Sequence, residues 1–237
     1  MDYPRRDNRG MPIHALSLFA SLGRDLIDLL APRECAACLA PHPTFPPKPH
    51  VPALCALCAT TLDPAEDPPA RVIVPYAHGG PLADAIHRAK YGDDPLFAEA
   101  LGHVLVHGCS GALEPLEVDI AIPVPLHPRR LASRGFNQAV EIARALRLPI
   151  VFDAVERVRD TPSQVGLDRT ARAANVRAAF GVRDPRRIRG RHVLVVDDVV
   201  TTGATLAEVV SQVHAAGARG VTAIALARAP LERIART

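Results

Sequence analysis

At 237 residues the chain can bury one good hydrophobic core or two unequal ones, and a formal net charge of only +3 supplies no global field that would single out nucleic acid as a partner. Trp is absent and aromatic residues make up 4% of the chain, so a platform for stacking single strands is not evident. Basic residues are almost all arginine, with Lys48 and Lys90 the only lysines, a bias of the kind GC-rich coding produces.

Residues 14–30 have the outline of a targeting segment, because basic residues precede an apolar stretch. Arg24, Asp25 and Asp28 interrupt it too early for a membrane span, and no small-residue cleavage site follows. Leu18, Leu22, Leu26, Leu29 and Leu30 instead mark one face of an amphipathic helix, expected to pack on the main domain. The chain therefore reads as cytoplasmic, with no transmembrane segment.

Four of the five cysteines fall as Cys35-x₂-Cys38 and Cys55-x₂-Cys58, with sixteen residues between the pairs. Each tight turn aims two thiolates at one point, and tetrahedral Zn²⁺ takes four. Disulfides are the alternative, disfavoured in a cytoplasmic chain. A thioredoxin-like redox pair lacks the surrounding strand and helix pattern. The connector carries Pro41, Pro43, Pro46, Pro47, Pro49 and Pro52 and cannot be helical, so metal has to supply the stability that a core does not. His42 and His50 lie between the knuckles, but four cysteines already complete the site. A closed Cys₄ site leaves no position for substrate, which makes the zinc structural.

Residues 63–70 (DPAEDPPA) form an acidic, proline-rich linker and the natural boundary. The division expected is residues 1–65, an amino-terminal helix with a zinc-ribbon-like module, and residues 70–237, the main domain. In the latter, the pattern predicts a strand over 71–76, helices over 82–90 and 96–106 separated at Lys90-Tyr91-Gly92, and a strand over 119–124. Cys109 reads as a lone thiol near a helix end. Next come Arg129, Arg130 and Arg134, then a helix over 137–146. Residues 157–180 are a second basic region, helical in its latter half. Residues 157–172 suit a mobile lid, a plain surface loop being the alternative.

Val193 to Val196 are continuously apolar, as in a strand buried on both faces, and that strand is expected to end at Asp197 and Asp198. Thr201, Thr202, Gly203, Ala204 and Thr205 follow, then an amphipathic helix over 206–216 and a last strand over 221–227. Strands alternating with helices define an α/β fold with an open, mainly parallel sheet, whose ligand lies beyond the carboxyl ends of the strands. The loop at 201–205 offers backbone N–H groups and a helix dipole to an anion, most simply a phosphate. Threonine hydroxyls can donate to it as well; ionised carboxylates only accept, so they face a different group, such as a sugar diol. A ribose 5-phosphate meets both demands. Arg129, Arg130 and Arg134, placed next to this loop by the same rule, could neutralise a pyrophosphate. A plain crossover with a capped helix needs one such polar residue and not five.

The run of four apolar residues, two acidic residues and T-T-G-x-T resembles the phosphoribosyl pyrophosphate (PRPP) motif of type I phosphoribosyltransferases. The resemblance extends further. A short helix, two CxxC knuckles, the run PVPLHPRRLASRGFNQA, the stretch from Thr161 through Gln164, Arg169 and Asn175 to Phe180, and DDVVTTGAT, in that order, are similar to the ComF family. That likeness implies a zinc module ahead of an open parallel sheet of the type I phosphoribosyltransferase kind, and a link to DNA uptake in natural competence, with relatives in gluconate utilisation. It implies PRPP contacts at Asp197, Asp198, Thr201, Thr202, Gly203, Ala204 and Thr205, a catalytic part for the two aspartates, and Mg²⁺ with the pyrophosphate. Single-stranded DNA and a DNA-uptake helicase are the implied macromolecular partners. Two activities stay open: phosphoribosyl transfer to a nitrogen acceptor, or a non-catalytic sensor or adaptor.

Overall fold

The computed structural model describes residues 33–42, 53–92, 95–159 and 178–230. The helix expected over 14–30, most of the proline connector and most of the basic region 157–180 fall outside them.

β1 (Arg33–Glu34) and β2 (Pro41–His42) pair antiparallel around the first knuckle, and one helical turn, α1 (Ala56–Ala59), carries the second. Beyond the linker, β3 (Val72–Ile73) and β4 (Tyr76–Ala77) run parallel to the last strand in a single register, Val72 opposite Ala223 and Tyr76 opposite Ala227. They are the one strand expected over 71–76, interrupted where Pro75 has no N–H to give. Helices α2 (Gly80–Tyr91) and α3 (Pro95–Leu113) follow, then β5 (Ile120–Pro123) and two short helices, α4 (Pro128–Arg134) and α5 (Gln138–Arg144). β6 (Val155–Arg157) and β7 (Phe180–Val182) form an antiparallel pair. The chain closes with β8 (His192–Val200), α6 (Ala204–Ala215) and β9 (Gly220–Arg228).

The main sheet runs β3/β4, β9, β8, β5, and all its pairs are parallel. Ile150 extends the β5 edge by one further parallel bridge, to Ala121. This is the open parallel α/β sheet that alternating apolar runs and amphipathic stretches call for. Helices cover both faces. Leu194, Val196, Ile224 and Leu226 pack against α2, α3 and α5, through Ile86, Leu101, Leu105 and Ile142 among others. Val193, Val195, Ala223 and Ala225 pack against Leu206, Val209 and Val213 of α6 and Val155 and Phe180 of the small hairpin. Each such Leu, Ile or Phe contributes roughly 1.5–3 kcal/mol by leaving water.

Two sequence expectations outside the β8 region need correction. α3 does not stop at residue 106: Gly108, Ser110 and Gly111 weaken its local signal, but burial of Cys109 carries the helix on to Leu113. At Gly102 a side chain would lie 2.4 Å from the carbonyl of Ile142, so the α3 and α5 backbones meet at a distance only glycine permits. Among the described residues α3 is the one helix with the length and apolar composition to cross a membrane, yet Ala98, Leu101, Gly102, Val104, Leu105 and Cys109 are buried in the protein core. The second correction concerns Arg157, expected to open a mobile segment. It lies in β6, buried, with its guanidinium 5.4 Å from the centre of the Phe180 ring.

The cysteine module shares the core of the sheet. Cys35, Ala36, Ala37, Leu54 and Cys58 belong to the same buried cluster as Leu82 and Ile86 of α2. Arg88 of α2 donates from Nη1 to the carbonyls of Ala36 (2.8 Å) and Ala37 (2.6 Å), in the turn between the first two cysteines.

Candidate functional site

β8 does not end at the carboxylates. Its ladder to β9 continues with Asp197 opposite Ala225, Val199 opposite Ala227 and Val200 opposite Arg228. The apolar run marks only the part of the strand buried on both faces, which is why sequence stops it at residue 196. The consequence for the site is that both carboxyls stand within the strand, close enough to each other to interact, and take their partners from neighbouring elements. Asp198 points to α2 and α5. Its Oδ2 accepts from Lys90 Nζ (3.0 Å) and Gln138 Nε2 (3.0 Å), and its Oδ1 accepts from the N–H of Val199 (2.6 Å). An ionised carboxylate has about four lone-pair positions, so three are spent internally.

Burial by itself would raise the Asp198 carboxyl, but the Lys90 ammonium, Gln138 and the Val199 N–H outweigh it and hold it below the ordinary carboxylate value. Asp197 goes the other way. Burial first, and the adjacent Asp198 charge second, push it up to about 8, against the N–H of Asp198 that donates to its Oδ1 at 2.9 Å. The neighbouring pair thus carries one firmly held charge and one proton that leaves near neutrality. His78, just past β4, lies in the same field, and its ring is pushed down by burial and then by Lys90.

Gln138 is anchored in turn. Arg134 Nη1 donates to its Oε1 at 2.5 Å, and the Arg134 guanidinium lies 5.5 Å from the centre of the Tyr91 ring. Lys90, Asp198, Gln138, Arg134 and Tyr91 therefore close a circuit through α2, β8, α5 and α4. Lys90 and Gln138 were not singled out by sequence. The signal available was the solitary lysine at the end of a helix, read there only as a break.

The β5 loop leaves the sheet beside β8, as expected, because the N–H of Val124 donates to the carbonyl of Val196 at 2.8 Å. Asn137 fastens this loop, donating from Nδ2 to the Val124 carbonyl (3.0 Å) and accepting the N–H of Ala139 (3.0 Å). Arg129 and Arg130 stand in the first turn of α4, Arg129 exposed and Arg130 partly so. Arg134, expected to face a pyrophosphate, has a donor committed to Gln138.

Thr201, Thr202 and Gly203 join β8 to α6. Gly203 has φ +81°, and a side chain there would lie 2.9 Å from Pro69, so the tight approach that requires glycine is to the linker. The Thr202 hydroxyl accepts the N–H of Ala204 (3.3 Å), the first residue of α6, whose N-cap is Gly203. Arg228 ties the loop down from below, donating to the carbonyls of Thr201 and Ala229 (2.8 Å for the latter) and, through Nε, to Asp67 (3.3 Å). The 12-residue helix α6 begins directly beyond this loop, so its N-terminus lies at the carboxyl end of β8. A groove of about 540 Å³ also touches Thr202, Gly203 and Ala204. It runs down the flank of α6 past Val210 to His214 and includes neither aspartate, so its volume is not the space above the carboxylates.

The four cysteine sulfurs lie within 4.8 Å of one another, and all are free thiols. Cys38 Sγ and Cys55 Sγ are 3.7 Å apart. Four sulfurs bound tetrahedrally at about 2.3 Å stand about 3.8 Å apart, so the donor set suits zinc with adjustments of about 1 Å or less. Burial raises the Cys35 thiol, but backbone N–H groups, among them that of Cys55 at 3.3 Å, outweigh it and bring it down to about 7, toward the thiolate a metal needs.

These features define a class, a phosphoribosyltransferase-type sheet with a four-cysteine module in front, and comparison with known proteins agrees. The sequence profile of the phosphoribosyl transferase domain matches residues 131–236. The DNA utilization protein YhgH of Escherichia coli K12 is 33% identical over 165 residues, 67% of this chain and 72% of the relative. Competence protein F of Haemophilus influenzae is 32% identical over 157 residues, 63% of this chain and 69% of the relative. The chain belongs to the ComF family. Among solved structures, the purine phosphoribosyltransferase of Pyrococcus horikoshii overlaps 54% of this chain and 73% of its own at 19% identity, with a TM-score of 0.34.

Proposed function

We propose that the chain binds PRPP, or another ribose 5-phosphate ligand, at the carboxyl end of β8. One observation carries this reading: a carboxylate pair and the sequence Thr201-Thr202-Gly203-Ala204-Thr205 stand together where a parallel strand passes into a helix N-terminus. In this reading the α6 N-terminus and loop hydroxyls receive the 5′-phosphate. Asp197, with the lone pair Asp198 has to spare, receives the ribose hydroxyls. Arg129 and Arg130 lie on the side where a pyrophosphate would extend. Mg²⁺ would neutralise pyrophosphate oxygens, and the carboxylates fit a hard, oxygen-seeking cation. Turnover would transfer the phosphoribosyl group to a nitrogen acceptor and release pyrophosphate, with the Asp198 carboxylate, joined by Asp197 once that carboxyl has ionised, stabilising positive charge on the ribose ring. Zn²⁺ held by Cys35, Cys38, Cys55 and Cys58 would be structural.

The names of the relatives favour a setting in DNA utilisation or competence; a cytoplasmic location, with single-stranded DNA and a DNA-uptake helicase as partners, is what the family resemblance adds to this reading. A binding-only adaptor is the second reading, and those names are what favour it.

Calorimetry with PRPP and Mg²⁺ tests the first reading, with ribose 5-phosphate alongside. Saturable binding of both supports it; no binding at millimolar ligand overturns it. Pyrophosphate release in the presence of candidate bases or DNA then separates enzyme from adaptor. DNA binding through arginines should fall steeply with salt, and ligand binding in the pocket much less.

A further inference from the structure

Lys90 stands outside everything the loop and its motif account for. The chain has 28 lysines and arginines together, only two of them lysine, and one of those two is the side chain that meets a motif carboxylate. It is placed by the end of α2. A side chain at Gly92 would lie 2.7 Å from the carbonyl of Arg88, so the chain has to turn there, and Lys90 occupies the last helical turn, where a cation suits the dipole. The Lys90 side chain keeps 24% of its surface exposed, against 8% for Asp198, so its stem reaches from the rim of the site inward.

The chemistry of the contact is specific to lysine. An ammonium is a compact charge that can share one oxygen with another donor. Here it shares Oδ2 with Gln138 Nε2, both at 3.0 Å. The planar fork of an arginine reaches for both oxygens of a carboxylate at once and would compete with Gln138 and with the Val199 N–H on Oδ1. Gln138 cannot move aside freely, because Arg134 holds its other end. The carboxylate is therefore clamped from two helices and from its own strand, which leaves one lone-pair direction for a ligand hydroxyl in exchange for the neighbouring Asp197 carboxyl.

On the reading that this site takes PRPP, we propose that Lys90 is a positioning residue: with Gln138 it pins Oδ2 of Asp198, so that the carboxylate offers its remaining lone pair in a fixed direction to one ribose hydroxyl. Lys90 acts through Asp198 and does not itself touch the ligand. It supplies orientation, which a loose carboxylate at a strand end would have to gain on binding at the expense of affinity.

A double-mutant cycle tests this on the full chain. PRPP affinity in Mg²⁺ is measured by calorimetry for the wild type, Lys90→Met, Asp198→Asn and the double variant, with Lys90→Gln as a second, more water-tolerant replacement and thermal melts to verify folding. Lys90→Met is expected to weaken PRPP about tenfold, yet to change affinity less than about twofold in the Asp198→Asn background, because the residue through which it acts has lost its charge. Lys90→Gln should follow Lys90→Met. Inorganic pyrophosphate, which lacks the ribose, should bind all four proteins alike, a pattern that a general loss of structure would not give. Equal losses in both backgrounds, or weakened pyrophosphate binding, would show Lys90 contacting the ligand directly and overturn the proposal. So would unchanged affinity in Lys90→Met and Lys90→Gln. A wild type that binds no PRPP removes the ligand reading and this inference together, whereas wild-type binding with indifferent variants removes this inference alone.

Discussion

Val193, Leu194, Val195 and Val196 of β8 are all buried, with their backbone paired on both flanks by β5 and β9. The described residues from 33 to 62 bury five side chains, Cys35, Ala36, Ala37, Leu54 and Cys58, and only Leu54 is large and apolar. The same protein thus contains a part held by area removed from water and a part whose order rests on four sulfurs converging on one point. The sheet is stable enough to carry a costly feature, two adjacent carboxyls within a central strand. The cysteine module has no such reserve, and what it lacks in core it draws from α2 and, on the proposed reading of the four sulfurs, from zinc.

The comparison breaks most visibly at the metal. Protein purified without chelator is expected to carry one zinc per chain, and removing it should cost the module on the order of 10 kcal/mol. Cys38→Ser should release the ion and open residues 33–62 to protease while the sheet keeps its far-UV signature. A folded preparation with almost no zinc would mean that the module is held by packing after all.

The carboxylates come next. Replacing both Asp197 and Asp198 by Asn should reduce PRPP affinity about a hundredfold, roughly 3 kcal/mol, in protein that melts verify to be folded at the assay temperature, since loss of the Asp198 charge also leaves Lys90 without its ion pair. Unchanged binding would reduce the loop to a strand-to-helix connection.

A smaller effect separates the two aspartates by pH. The Asp197 carboxyl is raised from 3.8 to about 8 in the folded protein, so the unfolded chain gives up that proton first. The stability it contributes is therefore full below about pH 4 and is lost as pH rises through about 8. Asp197→Asn should match the wild type near pH 4 and melt at a higher temperature than the wild type at pH 8. Equal melts across that range would contradict the assignment.

The least effect is expected at Cys109, buried in α3 with its thiol pushed up to about 12 by burial. Mass spectrometry after iodoacetamide treatment of the native protein at pH 8 should find it unmodified, and Cys109→Ser should leave the zinc content as it was.

Sequence carries the sheet and the cysteine cluster well because both are written in contiguous or evenly spaced residues. Apolar runs marked β5, β8 and β9, and the knuckle spacing brought four sulfurs to one place. It carries the surroundings of Asp198 poorly. Lys90 and Gln138 lie 108 and 60 positions away along the chain, on separate helices, and no local pattern announces that they will meet one oxygen. The hairpin of β6 and β7 escaped for a related reason: its strands have three residues each and pair across a long stretch of chain. The extent of β8 was misjudged because hydrophobicity reports burial and not strand pairing, and a strand can continue through carboxylates when ladder bonds and ion partners receive them.

Arg88 gives the linker at residues 63–70 a different meaning. Composition there suggests a place where the chain could be cut into two independent pieces, but the guanidinium that closes on the carbonyls of Ala36 and Ala37 belongs to the other piece. A fragment beginning at residue 70 would keep α2 with a cation aimed at nothing and an apolar cluster stripped of its cover at Leu82 and Ile86. Shuffling of the module between proteins is thereby discouraged: a donor would have to hand over the receiving face of α2 along with the cysteines.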